Sequence, residues 1–307
     1  GVDGFRFDAV GVLFENGPSS WNNQPENHVL MNDALNIVTG YQKRFMVCEA
    51  PDNPPAFAST TSCGRAFAFQ TPGAILNSAR GLTVDGTLVS QLASPDTDRM
   101  PLILSNHDSF AGDRIWNQLN GDSEAYKLAA ASYLLAAATP FMYYGEEIGM
   151  ANAAGLSGDP ALRTPMSWAP DPITGGFSTV APFRELSANV ATNNVIDEEA
   201  DGASLLEYYR SLYELRQSYP LVATGALNVQ SSGGDPVLLL TRADADASAI
   251  VAVNYDSTSN IASVVTTLTN ATFNAVFGAT GQATSDGSGS VTINVPARSA
   301  VVYVGQP

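Results

Sequence analysis

The sequence predicts an α/β unit over residues 1–222 followed by an all-β unit over residues 223–307, and three observations predict it. Up to Pro220, short apolar runs alternate with amphipathic helical stretches, the pattern of a parallel sheet covered by helices. Beyond Pro220, helical periodicity gives way to short alternating strands separated by Gly, Ser, Asp and Asn, which reads as an antiparallel sandwich. Several apolar runs of the first unit also finish in a carboxylate or a polar cluster. In a parallel barrel all such ends open onto one face.

The elements follow in order. The opening run VDGFRFD, residues 2–8, reads as a buried strand through Val2, Phe5 and Phe7, with Arg6 and Asp8 on the side opposite Phe5 and Phe7. Further strands are expected at 45–49 (FMVCE), 65–69 (RAFAF), 102–106 (LILSN) and 140–144 (PFMYY). Helices are expected between them at 29–42, 73–80 and 123–138, and after them at 204–218. In the last of these, Leu205, Tyr208, Tyr209, Leu212 and Leu215 make one apolar face. An irregular insert at 151–200, rich in Pro, Gly, Asn and Asp, is long enough to be functional or flexible. The closing unit supplies strands such as VLLLTRA, AIVAVNYD, SVVTTL, SVTINV and AVVYVG.

Composition narrows the function. The chain has 307 residues, 45% of them hydrophobic, enough for a sizeable core and two units. Its net charge is −16, and Lys43 and Lys127 are its only lysines. A field of that sign repels phosphate backbones and anionic lipid, so nucleic acid and membrane surfaces are disfavoured as partners and a neutral ligand fits better. No apolar run approaches the ~20 residues of a membrane helix, and the opening residues lack the order of a signal peptide. A secreted or periplasmic location is the expectation, in keeping with an acidic surface suited to extracellular water. Cys48 and Cys63 are the only cysteines. A disulfide and two buried thiols both fit their spacing, and with two distant histidines they make a poor zinc set.

The chemistry lies at three strand ends: Asp8, Glu49, and the cluster Asn106, His107, Asp108. A lone Asp at a strand end is more often a helix cap or an ion-pair partner. Three such ends opening on one face, one with Arg6 beside it and one with His107 adjacent, point instead to catalysis. Glycoside hydrolysis needs two carboxylates, one to attack the anomeric carbon and one to protonate the leaving oxygen. A third can stabilise the developing positive charge. Arg6 favours an ionised Asp8, and the apolar approach to Glu49 favours a raised pKa and an acid role.

GFRFDAV at 4–10, the strand ending in Glu49, SNHDS at 105–109 and TPFMYYGEEIGM at 139–150 resemble successive signature strands of the α-amylase family. RTPMSWAPDPITGGF followed by SLLEYYRSLYELRQSYPLVATG is similar to its oligo-1,6-glucosidase, neopullulanase and trehalose synthase type. The resemblance implies a partial (β/α)8 TIM barrel, strands four to eight, followed by an all-β sandwich. It implies a retaining α-glycoside hydrolase acting on α-glucans such as starch and maltooligosaccharides. It assigns Asp8 as nucleophile, Glu49 as general acid/base and Asp108 as transition-state stabiliser, with Arg6 and His107 binding substrate and Tyr143, Tyr144 and Gly145 structural. His28 is expected to be a packed imidazole without such a role.

Gly11 and Val12 stand where the family has Lys and His lining the leaving-group subsite, which leaves substrate preference open. No cofactor is required by this sequence, and calcium is unsupported. Strands four to eight alone would leave open sheet edges, so the expectation is a truncated chain that associates with a second copy or a complementing N-terminal half. Two other functions compete with hydrolysis: α-glucan transglycosylation, and non-catalytic carbohydrate binding or interaction on the same scaffold.

Overall fold

In a computed structural model, which describes residues 1–306, the first unit is organised by two parallel strands. Strand β1 (Gly4–Phe7) lies beside β2 (Phe45–Cys48), with Gly4 opposite Phe45 and Phe7 opposite Cys48. Glycine is required at position 4 by close approach, because a Cβ there would run into the carbonyl oxygen of Phe45.

The runs expected as strands at 65–69, 102–106 and 140–144 continue the arc in the expected order without forming ladders. Isolated parallel bridges join Cys48 to Ala66 and Leu102 to Pro140. Single hydrogen bonds add to them: Phe67 N–H to Cys48 O (3.2 Å), Ala68 N–H to Pro101 O (3.1 Å) and Phe141 N–H to Leu102 O (2.9 Å). Pro101 precedes the second of these runs and Pro140 opens the third, and neither has an N–H to donate. Side chains hold the arc instead. Val47, Phe67 and Ile103, with Phe45, Phe69 and Phe141, pack into one apolar cluster, and the Phe67 and Phe141 rings meet edge to face at 4.9 Å. The expected burial of the opening strand is corrected as well. Val2 and Phe5 are half exposed, because among the described residues β1 has a neighbour along one edge only.

Four helices form where periodicity places them, with ends set by their caps. Pro25–Thr39 and Thr71–Gly81 each carry proline in the first turn, which extends the first of them back from the expected start at 29. Ser123–Ala136 is capped by the Asp122 carboxylate, and Leu205–Ser218 by the Ser204 hydroxyl, which accepts from Glu207 N–H at 3.2 Å. Cys48 and Cys63 form a disulfide, which ties the end of β2 to the loop beyond it. A crosslink over this spacing contributes about 3 kcal/mol on the loop-entropy account.

The closing unit contains β3 (Ala226–Val229), β4 (Val237–Ala243), β5 (Ser248–Asn254), β6 (Asn260–Val265), β7 (Thr272–Phe277), β8 (Gln282–Thr284), β9 (Ser290–Val295) and β10 (Ser299–Gln306). One sheet has the order β3-β4-β5-β10-β7-β8 and the other pairs β6 with β9. All of these pairings are antiparallel. Ile250, Ala252, Val301 and Phe273 face Val264, Val291 and Ile293 of the small sheet. Ala249, Val251, Val253 and Val302 face the other way, into the core that includes Leu128, Leu135 and Tyr133. Every residue of β5 is therefore buried, which explains its unbroken apolar run. Arg242, also buried, crosses the junction and donates to Gly225 O (2.8 Å) and Ala136 O (2.5 Å).

Gly4→Ala is expected to separate β1 from β2 and to cost about 2 kcal/mol, in the range of an overpacked core position. Urea unfolding monitored by circular dichroism measures it. An unchanged midpoint would contradict the close approach assigned to Gly4.

Candidate active site

Strand β1 delivers Asp8 to its C-terminal end and β2 delivers Glu49, and their parallel register sets the two side by side. Arg6, two residues before Asp8 in the same strand, bridges both carboxylates. Its guanidinium pairs with Asp8 through one nitrogen and with Glu49 Oε2 through the other at 2.7 Å. The Ala9 N–H donates to the same Glu49 oxygen at 3.2 Å. Ala9 adopts the left-handed region at φ 48°, a conformation costing an alanine about 1 kcal/mol. That turn brings the chain back against β2, where Val10 N–H reaches Glu49 O at 3.2 Å.

The environments of the two carboxyls push their protonation in opposite directions. Burial raises the Glu49 pKa, and the hydrogen bond from Ala9 offsets this only in part. Hydrogen bonding with the Glu49 carboxyl, joined by the charge of Arg6, holds Asp8 below its ordinary value against a smaller effect of burial. Asp8 is largely exposed, whereas Glu49 is buried. One group is thus disposed to be an anion and the other an acid.

His107 and Asp108 follow the segment that begins at Leu102. The Asp108 N–H donates to Asn106 Oδ1 at 2.7 Å, closing a tight turn. The Asp108 carboxylate lies 3.1 Å from His107 Nε2 and accepts from Arg163 at 2.7 Å. Arg6, Asn106 and His107 line one hollow together with Phe67, Phe69 and Tyr143. Asp108 is not part of this lining, and among the described residues no hydrogen bond or ion pair joins it to Asp8 or Glu49. Gly11 and Val12 line a smaller hollow beside Glu49, with Asn22, Asn23 and Asp52. His28 is stacked on Phe57 at 4.2 Å between ring centres and bonded to Ser62 at 2.9 Å, and burial lowers its pKa. Among the described residues no group of three or more His, Cys, Asp and Glu side chains gathers as a metal site.

Three positioning groups escaped the reading by strand ends. Arg163 donates to His107 O (2.9 Å), Asp108 (2.7 Å) and Asp159 (2.9 Å), and so fastens the Asp108 turn to the insert. Its signal was the first residue of RTPMSW. Arg114 is buried, donates to Tyr144 O (2.9 Å) and Leu162 O (2.7 Å), and lies 4.9 Å from the centre of the Tyr143 ring. Glu146 is a buried acceptor for Ser105 Oγ (3.1 Å), Tyr133 OH (2.6 Å) and Tyr209 OH (3.0 Å). Burial pushes its pKa up to about 7 against these hydroxyls. It links the Ser105–Asp108 turn to two helices far apart in sequence, a relation no local pattern reveals.

Comparison with known proteins bears on the same elements. The family model described as alpha amylase, catalytic domain, matches residues 1–225. The chain is 25% identical over 303 residues to the trehalose synthase/amylase TreS of Mycobacterium tuberculosis, covering 83% of this chain and 50% of that protein. It is 41% identical over 128 residues to the α-amylase SusG of Bacteroides thetaiotaomicron, covering 42% of this chain and 17% of the relative. The chain spans about half the length of the TreS relatives it matches. The crystal structure of the α-amylase from H. orenii superposes with a TM-score of 0.73 at 21% identity, covering 100% of this chain and 61% of the other. Trehalose-6-phosphate hydrolase of Bacillus licheniformis does so at 0.73 and 18%, covering 100% and 66%. The fold is therefore part of a (β/α)8 barrel followed by a β domain.

Replacing Arg6 by Met is expected to raise the pKa of both Asp8 and Glu49, because its positive charge favours the ionised form of each. Carbon-detected NMR titration of the two carboxyls follows this. A fall in either value would contradict the bridging role of Arg6.

Proposed function

The chain belongs to the α-amylase family, and from that premise we propose that it is a retaining α-glycoside hydrolase acting on α-glucans such as starch and maltooligosaccharides. One observation carries the proposal: a single guanidinium holds two carboxyls at the ends of neighbouring parallel strands while their surroundings drive one toward the anion and the other toward the acid. In the proposed reaction Asp8 attacks the anomeric carbon and Glu49 gives its proton to the departing glycosidic oxygen, leaving a glycosyl ester on Asp8. Glu49, now ionised, takes a proton from water, which releases the sugar with its starting configuration. Asp108 stabilises the developing positive charge, and His107 binds sugar hydroxyls beside it.

Transglycosylation is the second reading, favoured by the similarity to a trehalose synthase/amylase. There a sugar hydroxyl takes the place of water in the second step. Gly11 and Val12 beside Glu49 bring no polar side chain to a leaving group or acceptor, so polar contacts in that hollow fall to Asn22, Asn23 and Asp52. The proposal extends to the free edge of β1, where half-exposed Val2 and Phe5 favour completion by a second copy or a complementing N-terminal half. It also extends to a secreted or periplasmic location, where a disulfide such as Cys48–Cys63 persists.

Asp8→Asn is expected to abolish release of reducing sugar from starch while leaving the circular dichroism unchanged. Retention of most activity would remove Asp8 as nucleophile. Glu49→Gln is expected to lose far more activity on starch than on an aryl α-glucoside, whose leaving group needs little protonation. Equal losses on both would argue against the acid role. The native pH profile is expected to be a bell. Activity rises with pH as Asp8 ionises, at a pKa below its ordinary value, and falls as Glu49 loses its proton, at a pKa above its own.

A further inference from the structure

The insert that follows Met150 carries a surface that neither the core nor the carboxylate site accounts for. Phe183 is 97% exposed and Phe177 is 52% exposed, and both line a hollow with Tyr144, Arg163, Met166 and Arg184. The Arg184 guanidinium lies 5.6 Å from the centre of the Phe183 ring. Large apolar side chains held in water at one place mark a surface used for binding.

One side chain, Arg163, joins the hollow to the His107–Asp108 turn. It forms part of the lining and also contacts Asp108 at 2.7 Å and the backbone oxygen of His107 at 2.9 Å. The chemistry of the lining points to a neutral ligand. Arg163 is already matched by Asp108 and by Asp159 at 2.9 Å, Arg184 lies over the Phe183 ring, and the net charge of −16 on the chain as a whole disfavours an anion. What remains are aromatic faces flanked by guanidinium and phenol groups. A glucose ring complements such a surface, with an apolar C–H face for the ring and hydroxyls around its rim for the polar groups.

We propose that Phe183 and Phe177 form a stacking platform for glucose units of an α-glucan chain lying beyond the bond held at Asp8 and Glu49. The platform rests on the α-glucan reading above and deepens it: it gives the site a preference for longer oligosaccharides over disaccharides. Phe183 contributes no buried contact that the fold would lose, so its replacement leaves the structure intact.

Calorimetry with maltoheptaose and maltose tests this on the Asp8→Asn chain, with and without Phe183→Ala. The Asp8→Asn chain is expected to bind maltoheptaose more tightly than maltose. Phe183→Ala is expected to weaken maltoheptaose binding by about tenfold, the loss of one aromatic anchor, and to leave maltose binding unchanged. Phe183→Trp should restore the affinity. Equal binding of the two sugars before the change at Phe183, no binding of either, or an unaltered affinity for maltoheptaose after it would each overturn the platform. Aryl α-glucoside hydrolysis by the native chain separates the two readings. Its absence would count against the hydrolase while a binding loss at Phe183 still upheld the platform.

Discussion

The bridge from Arg6 to Asp8 and Glu49 is the interaction on which the organisation of this molecule depends. A guanidinium presents separate donors in a fixed plane, so it can hold two carboxylates at once where an ammonium would be a single point of charge. Here that plane spans the gap between β1 and β2 and sets the two acidic side chains against each other. Without it, two carboxyls at neighbouring strand ends would repel when both are ionised. With it, burial can keep Glu49 toward the acid form while Asp8 stays an anion.

The bridge requires the strands to be close and in register, and the rest of the barrel unit serves that requirement. Gly4 allows the backbones to approach, the Ala9 turn returns the chain to Glu49, and the disulfide anchors the end of β2. Farther along the arc, backbone pairing thins out and side chains take over. Phe67, Ile103 and Phe141 fill the concave face, and Glu146 gathers Ser105, Tyr133 and Tyr209 about one buried carboxyl. Behind them the Ser123–Ala136 helix packs on the large sheet of the closing unit, with Ser132 bonded to Tyr255 at 2.7 Å. The β unit is thus a wall of the same core.

Much of this was legible in the sequence, for identifiable reasons. Helical periodicity located Leu205–Ser218 because its apolar face is narrow and regular. AIVAVNYD reads as one of several alternating sandwich strands, and the burial of β5 on both faces comes from the Ser123–Ala136 helix packed behind it. Reading strand ends places Asp8 and Glu49 side by side, as the parallel register of β1 and β2 has them, whereas Asp108 follows a run that makes only an isolated bridge. The runs at 65–69, 102–106 and 140–144 were placed in the right order as strands they do not form. Hydrophobicity reports burial, and it does not say whether neighbouring backbones pair in a ladder. The exposure of Phe5 was hidden for a related reason, since a pattern of side chains does not say how many neighbours a strand has. Arg163 and Glu146 were illegible as partners because they act across 55 and 41 positions of chain, through contacts only the folded arc creates.

The central claim is that Asp8 is the anion that meets the anomeric carbon, and it is tested most directly by trapping the ester it forms. Incubation with 5-fluoro-α-glucosyl fluoride, followed by proteolysis and mass spectrometry, reads the position of the adduct. The account predicts one fluoroglucosyl group on the peptide containing Asp8, lost when Arg6 is replaced by Met. An adduct on Glu49 or Asp108, or turnover of the reagent with no covalent species at any carboxylate, would contradict it.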